Sequence, residues 1–242
     1  MLKLSPEADP MGAAIKAFHT KKKVERLRVL SSLFDEDEIP VSHLFRSIEE
    51  MPLLEQKALH IAKGRILDIG AGAGCHSLAL QEMGKEVEAI DISELAVEVM
   101  QERGVKHVRV ADLLDGQWSR QYDTLLLLMN GTGLAGRLRQ LDNFLLRLKH
   151  LLAPQGQILL DSSDLRFIFE NEEGNIDLAE GQDYYGEVDF QMKYGKIIGR
   201  PFHWLYLDFP TLQAAATRIN LCAELIEENE EHAYLARLTH QL

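Results

Sequence analysis

The sequence predicts an α/β fold organised on a parallel sheet, and three stretches predict it. Residues 65–91, RILDIGAGAGCHSLALQEMGKEVEAID, read as a buried strand, a glycine turn, an amphipathic helix closed near Gly84 and a second strand ending on an acid. The unbroken apolar run at 125–129 suits a parallel strand covered on both faces. Near 154–157 a leucine-striped helix is stopped by Pro154, and Gln155-Gly156 turns the chain into a further strand, so helix and strand keep alternating.

Composition narrows the class. The 242 residues, 46% hydrophobic and 26% charged, fit one α/β domain with embellishments. Apolar runs fall far short of the ~20 residues that span a bilayer, and no signal-like apolar stretch opens the chain, so cytoplasmic residence is expected, with no membrane partner. Two cysteines, Cys75 and Cys222, argue against a disulfide framework and exclude a CxxC metal site; both read as packing residues, and no metal is expected. A formal net charge of −12 argues against a nucleic-acid partner, because a reader of phosphate backbones needs a concentrated basic face. The one basic run, the lysines at 21–23, reads as a solvated face.

Taken in order, Asp9 and Pro10 open a helix whose apolar positions are Met11, Ile15 and Phe18. Residues 24–31 suit a helix or a strand equally, and the acidic 35–38 before Pro40 read as a loop. A helix burying Leu53, Leu54, Ala58, Leu59 and Ile61 then runs to Gly64. Residues 1–63 therefore form a helical arm ahead of a domain at 64–242. In the turn that follows, the missing Cβ atoms let a ligand lie against the backbone, and the helix start after Gly74 favours a carboxylate or phosphate. Asp91 lies 21 positions after Gly70, at the carboxyl edge of the sheet, where a carboxylate can accept hydrogen bonds from both hydroxyls of a ribose. The pocket suits an adenosine-bearing ligand. His76, in the first helical turn, is read as a ligand contact or a cap, with its charged form disfavoured by the helix start.

Ser93 caps the next helix and Gly104 ends it. A third strand at 107–111 delivers Asp112, and the fourth, from Tyr122, ends at Asn130. Leu138, Leu141, Leu145, Leu148 and Leu152 stripe a covering helix, and a fifth strand at 157–160 brings Asp161 to the sheet edge. Alternation from Val188, broken by Gly195 and Gly199 and resumed at 202–207, predicts an antiparallel hairpin inserted at about 183–208. A helix at about 210–219 and strands near 221–226 and 233–238 finish the chain, with Asn220 in the helix-ending place where glycine is usual.

The glycine spacing separates ligand classes. A dinucleotide motif would put its third glycine at Cys75, and no Gly-Lys-Ser/Thr closes a P-loop. The pattern Asp68-x-Gly70-x-Gly72-x-Gly74 resembles the first motif of the class I S-adenosylmethionine-dependent methyltransferases, and LLAPQGQILLDSS resembles their late helix-turn-strand. The resemblance covers about residues 64–242. It implies a Rossmann-like, seven-stranded, mostly parallel sheet with the last strand antiparallel, S-adenosylmethionine as cofactor, and in-line methyl transfer to a small-molecule acceptor.

By the same resemblance Gly70, Gly72 and Gly74 pack on the methionine portion of the cofactor, and Asp68 bonds near its amine. Asp91 with the neighbouring Ile92 takes the ribose, and Asp112 with Leu113 the adenine. Met129 and Asn130 border the methyl group, with Asn130 also able to meet the acceptor, although the chain lacks the Asn-Pro-Pro-Tyr motif of base and glutamine methylation. The arm is expected to cover the mouth, with Phe45 and Arg46 as lid contacts; alternatively Phe45 is a core anchor and Arg46 one half of a surface ion pair. His203, Trp204 and Tyr206 of the insertion either roof the pocket or pack beneath it. If a general base exists, His203 comes first and Asp161 second. Two other classes stay open: an NAD-dependent oxidoreductase and a cofactor-binding module without chemistry.

Overall fold

Alternating burial accounts for the central sheet of the computed structural model, which describes residues 4–20, 25–115, 118–171, 173–176, 178 and 182–241. The lysines at 21–23 lie outside the described residues. In chain order the elements are α1 (Pro10–His19), β1 (Leu27–Leu30), β2 (Asp37–Ile39), α2 (Leu53–Ile61), β3 (Arg65–Ile69), α3 (Cys75–Glu82), β4 (Glu86–Asp91), α4 (Glu94–Arg103), β5 (Val108–Val110) and β6 (Tyr122–Leu127). There follow α5 (Leu141–Leu151), β7 (Leu152–Ser163), α6 (Arg166–Phe169), β8 (Glu187–Tyr194), β9 (Ile197–Ile198), β10 (Phe202–Leu205), α7 (Phe209–Arg218), β11 (Leu221–Glu228) and β12 (Ala233–His240).

Seven strands form one sheet in the order β11-β12-β7-β6-β3-β4-β5. The five from β7 to β5 are parallel, and β12 runs antiparallel to both β7 and β11. Leu125 and Leu127 pack on the α5 and α7 side while Leu126 packs on the α2 and α3 side, so residues 125–127 of β6 are apolar on both faces. From β3 the chain first builds outward through β4 and β5 and then returns to build β6 and β7 on the other side. This reversal opens a crevice at the carboxyl ends of β3 and β6, the place where open α/β sheets bind ligands.

A second sheet, β10-β8-β1-β2 with β9 on β8, has no counterpart in the minimal fold. Here the amino-terminal arm departs from the helical expectation. Residues 27–30, open between helix and strand in the sequence, are β1, and part of the expected loop before Pro40 is β2. The inserted hairpin supplies the outer partner of β1, with Leu27 paired to Tyr194 and Val29 to Met192, and β2 pairs in turn with β1. Both differences have one cause, since a four-residue strand is held only by neighbours far away in sequence. The helix α1 is anchored where Asp9 accepts the Gly12 amide at 2.8 Å and the Ser93 hydroxyl, which itself caps α4. No helix among the described residues is long and apolar enough to cross a membrane.

The two arms of the insertion meet in a close backbone approach at Gly186, where a Cβ would stand 2.0 Å from the Tyr206 carbonyl oxygen, while the Tyr206 amide donates to the Gly186 carbonyl at 2.8 Å. Backbone cannot step aside as a side chain can. Gly186→Ala is therefore expected to lower the unfolding free energy by about 1–3 kcal/mol in denaturant titration; unchanged stability would show that the strands do not meet so closely.

Candidate active site

The glycine turn is held open from behind. Amides of Gly70 and Ala71 donate to the Ile90 carbonyl at 2.9 and 3.0 Å, and the Gly72 amide donates to Asp91 Oδ2 at 2.9 Å. Both Gly70 and Gly72 have positive φ, and a Cβ on either would meet nothing within 4 Å, so the turn offers bare backbone to open space. Gly74 does different work. A Cβ there would sit 2.9 Å from Met100 and 3.0 Å from Val105, and the residue lies off the cavity wall. Gly74, expected on the methionine portion of the cofactor, is placed here in close packing of the turn against Met100 of α4 and the following Val105.

Asp91 ends β4 with its second oxygen accepting the Ser93 amide at 2.8 Å. Burial pushes its carboxyl up to about 6, against the pull of the Ser93 and Gly72 amides and with the negative charges of Asp9 and Asp68 adding to the rise. Asp68 is buried, accepts the Ser77 hydroxyl at 2.6 Å and is likewise raised by burial, with the His76 charge opposing. Asp112 Oδ1 accepts the Leu114 amide at 2.8 Å, which caps the turn after β5.

One cavity of about 1330 Å³ joins the crevice to the underside of the second sheet. Its floor holds Asp68, Gly70, Gly72, Asp91, Ile92, Asp112, Leu113, Met129 and Asn130 of the residues singled out in the sequence. Its ceiling is apolar: Val29, Phe190, Met192, Phe202 and Trp204 project from β1, β8 and β10, with Tyr206 just beyond. Gly133 packs flat on Trp204, where a Cβ would come 2.0 Å from the indole. A separate polar hollow of about 560 Å³ lies around Arg65, Glu88, Arg109 and Trp118, at the opposite, amino-terminal end of the strands. It is remote from the glycine turn. Among the described residues no cluster of three or more His, Cys, Asp or Glu is arranged to hold a metal.

Four further residues singled out in the sequence stand differently. Phe45 and Arg46 lie off the cavity wall. Arg46 Nη2 grips both oxygens of Glu55 at 2.8 and 2.6 Å, and Phe45 packs on Phe18 with ring centroids 4.7 Å apart while the Arg103 guanidinium lies 4.6 Å above it. Phe45 thus packs among apolar neighbours, and the Arg46 ion pair is buried where the sequence alternative puts it at the surface. Asp161 also lies off the wall. Its oxygens accept the Met129 and Gly131 amides, each at 3.0 Å, and so hold the two left-handed residues Met129 and Asn130. Burial pushes this carboxyl up to about 6, but both oxygens are engaged with backbone. His203 reaches the wall near its exposed edge, with Nε2 3.2 Å from Arg137 Nη2. A guanidinium only donates, so Nε2 accepts and Nδ1 carries the proton, which leaves no basic nitrogen free.

Nothing in the local pattern warned of a buried charge cluster behind the turn. His76 Nε2 is 2.7 Å from Glu55 Oε2, and both residues are buried. Burial opposes the charged imidazole, yet the Glu55 bond and the charges of Asp68 and Glu55 outweigh it and raise the His76 pKa. The expected disfavour for charged His76 is thereby reversed. An isolated acid on an amphipathic helix reads as solvent-facing, so Glu55 carried no signal. The ceiling residues Phe190 and Met192 did carry one, in the alternation after Val188.

Comparison with known proteins agrees with this geometry. A family model described as a methyltransferase domain matches residues 66–156. A curated uncharacterised methyltransferase of Staphylococcus carnosus is 25% identical over 185 residues, 74% of this chain and 79% of that protein. A crystal structure of an S-adenosylmethionine-dependent methyltransferase from Clostridium acetobutylicum, 12% identical, aligns with a TM-score of 0.59 over 80% of this chain and 94% of its own, and shows the fold alone. A crystal structure of an S-adenosylmethionine-dependent methyltransferase from Bacteroides fragilis, in complex with S-adenosylhomocysteine, is 56% identical, with a TM-score of 0.93 over 99% of this chain and 98% of its own. With that identity along nearly the whole of both chains, the present protein belongs to the S-adenosylmethionine-dependent methyltransferases and takes S-adenosylmethionine as its cofactor.

Proposed function

We propose that the chain methylates a small molecule by in-line displacement, with cofactor and acceptor enclosed together between the two sheets. One observation carries this reading: a single cavity of about 1330 Å³ runs from the glycine turn to an apolar ceiling. Ligand pockets typically occupy ~300–1,000 Å³, so this one has room for a second molecule beside the cofactor. The ceiling residues stand over the floor, so the reacting centre lies between two layers of the chain. The charge of −12 also speaks against a polyanionic acceptor, and nothing in the reading calls for a membrane partner or for residence outside the cytoplasm.

When bound, S-adenosylmethionine supplies an electrophilic methyl on a sulfonium. In this reading Gly70 and Gly72 lie along its methionine portion, with Asp68 near the amine. Asp91 accepts the ribose hydroxyls beside Ile92, and Asp112 with Leu113 meets the adenine. Met129 and Asn130 border the reacting centre, where Asn130 is fixed by the Ser162 hydroxyl donating to its Oδ1 at 2.8 Å. Trp204 and Tyr206 hold the acceptor. Residues 1–63 and the insertion at about 183–208 act as the roof of the domain at 64–242. Neither Asp161 nor His203 offers a free basic site, so alignment of the acceptor and exclusion of water do the work.

Asp91→Ala should weaken S-adenosylhomocysteine binding by about 1.5–3 kcal/mol by calorimetry, the worth of a hydrogen bond to a charged group. Because the ionised carboxylate is the better acceptor and its pKa is raised to about 6, affinity should be full above pH 6 and fall below it, by up to about tenfold per pH unit. Asp91→Asn should flatten that slope; a slope that survives the substitution belongs to another group. Asp161→Asn should lower thermal stability and leave the pH–rate profile where it was, whereas loss of an ionisation from the profile would restore Asp161 as a base. For the function itself, candidate acceptors are screened by S-adenosylhomocysteine release. With any acceptor so found, Trp204→Ala should raise its KM and leave cofactor affinity unchanged. Turnover on oligonucleotides but on no small molecule would overturn the proposal.

A further inference from the structure

The roles proposed above leave unused the charge cluster behind the glycine turn. Four ionisable groups meet there from four parts of the chain: Arg46 after the 3₁₀ turn at 41–45, Glu55 on α2, Asp68 on β3 and His76 on α3. Glu55 and His76 are each 5% exposed and Asp68 2%. Buried charges persist only when they are paired. The four groups balance to zero when the imidazole carries its proton, and the bonding agrees with that count. Glu55 takes Arg46 on both oxygens and His76 Nε2 on one of them, so Nε2 is the donor in that contact.

One donor is left over. The charged ring has a second N–H at Nδ1, and among the described residues no hydrogen bond from Nδ1 to a protein acceptor is present. His76 lines the cavity beside Asp68, just past the bare backbone of Gly70 and Gly72. The wall here therefore presents a cation and an anion side by side. That is the complement of an α-amino acid, whose ammonium and carboxylate stand on neighbouring atoms.

We propose that His76, oriented by the Arg46–Glu55 pair of the amino-terminal arm, donates from Nδ1 to the carboxylate of the cofactor while Asp68 faces its ammonium, so that arm docking and capture of the amino-acid end are linked events. The proposal rests on the placement of the methionine portion over the glycine turn given above. Arg46 is then a positioning residue, acting on the ligand through Glu55 and His76.

The test uses two ligands on the full chain by calorimetry. S-Adenosylhomocysteine carries the amino-acid end; 5′-methylthioadenosine keeps the nucleoside and thioether and lacks it. His76→Asn should weaken S-adenosylhomocysteine about tenfold or more, as loss of a hydrogen bond to a charged group does, and leave 5′-methylthioadenosine within about twofold. Arg46→Gln, off the cavity wall, should discriminate in the same direction, and it carries the comparison if His76→Asn does not fold. Equal weakening of both ligands marks a merely structural role and overturns the proposal, as does unchanged S-adenosylhomocysteine affinity in a folded variant. Asp91→Ala run alongside should weaken both ligands. If His76→Asn discriminates while Asp91→Ala weakens neither, the relay stands and the ribose assignment fails.

Discussion

The amide of Gly72 bonded to the Asp91 carboxylate is the contact on which the rest of this structure depends. It ties the turn after β3 to the tip of β4, so that the sheet edge and the crossing above it keep one fixed separation. With Gly70 and Ala71 bonded to the Ile90 carbonyl, the backbone between strand and helix is satisfied from behind and exposed in front. A side chain at Gly70 or Gly72 would fill the space this arrangement opens. The shape of the crevice and the geometry of the sheet are thus set by the same few bonds.

Over that crevice the chain builds a roof from segments far apart in sequence. β1 lies between β2 and β8, and α1 lies across α4 with Asp9 and Ser93 sharing a hydrogen bond. None of these short strands has enough neighbours of its own to persist alone. Roof and floor must therefore form together, and the cavity is a property of the joined sheets. The apolar ceiling follows from the pleat: Val29 pairs with Met192 and Phe190 with Phe202, which turns one face of three strands toward the crevice.

Polar groups near the cavity are spent largely on architecture. Asp161 holds a left-handed turn, Ser162 and Thr132 fix Asn130 and the strand that follows, and Asp208 accepts both Tyr184 and Tyr185 while capping α7. A reaction that asks for alignment more than for proton transfer is consistent with such a site. Asp161, picked for its chemistry, has both oxygens taken by backbone amides, and His203 faces Arg137.

Local pattern determined much of this protein. The β3–α3–β4 unit, the acid at Asp91, the doubly covered strand at β6, the left-handed Asn220 and the terminal helix and strands were legible because each rests on contacts a few residues apart or on a simple period. The places of Gly70, Gly72 and Asp112 on the cavity wall came with them. Only the tertiary structure decided that residues 27–30 are a strand, that Gly74 packs on Met100 rather than on a ligand, and that Arg46 and Glu55 stand behind His76 instead of in solvent. Those outcomes depend on partners tens to more than a hundred residues away, and no local pattern encodes which distant charge or strand will arrive.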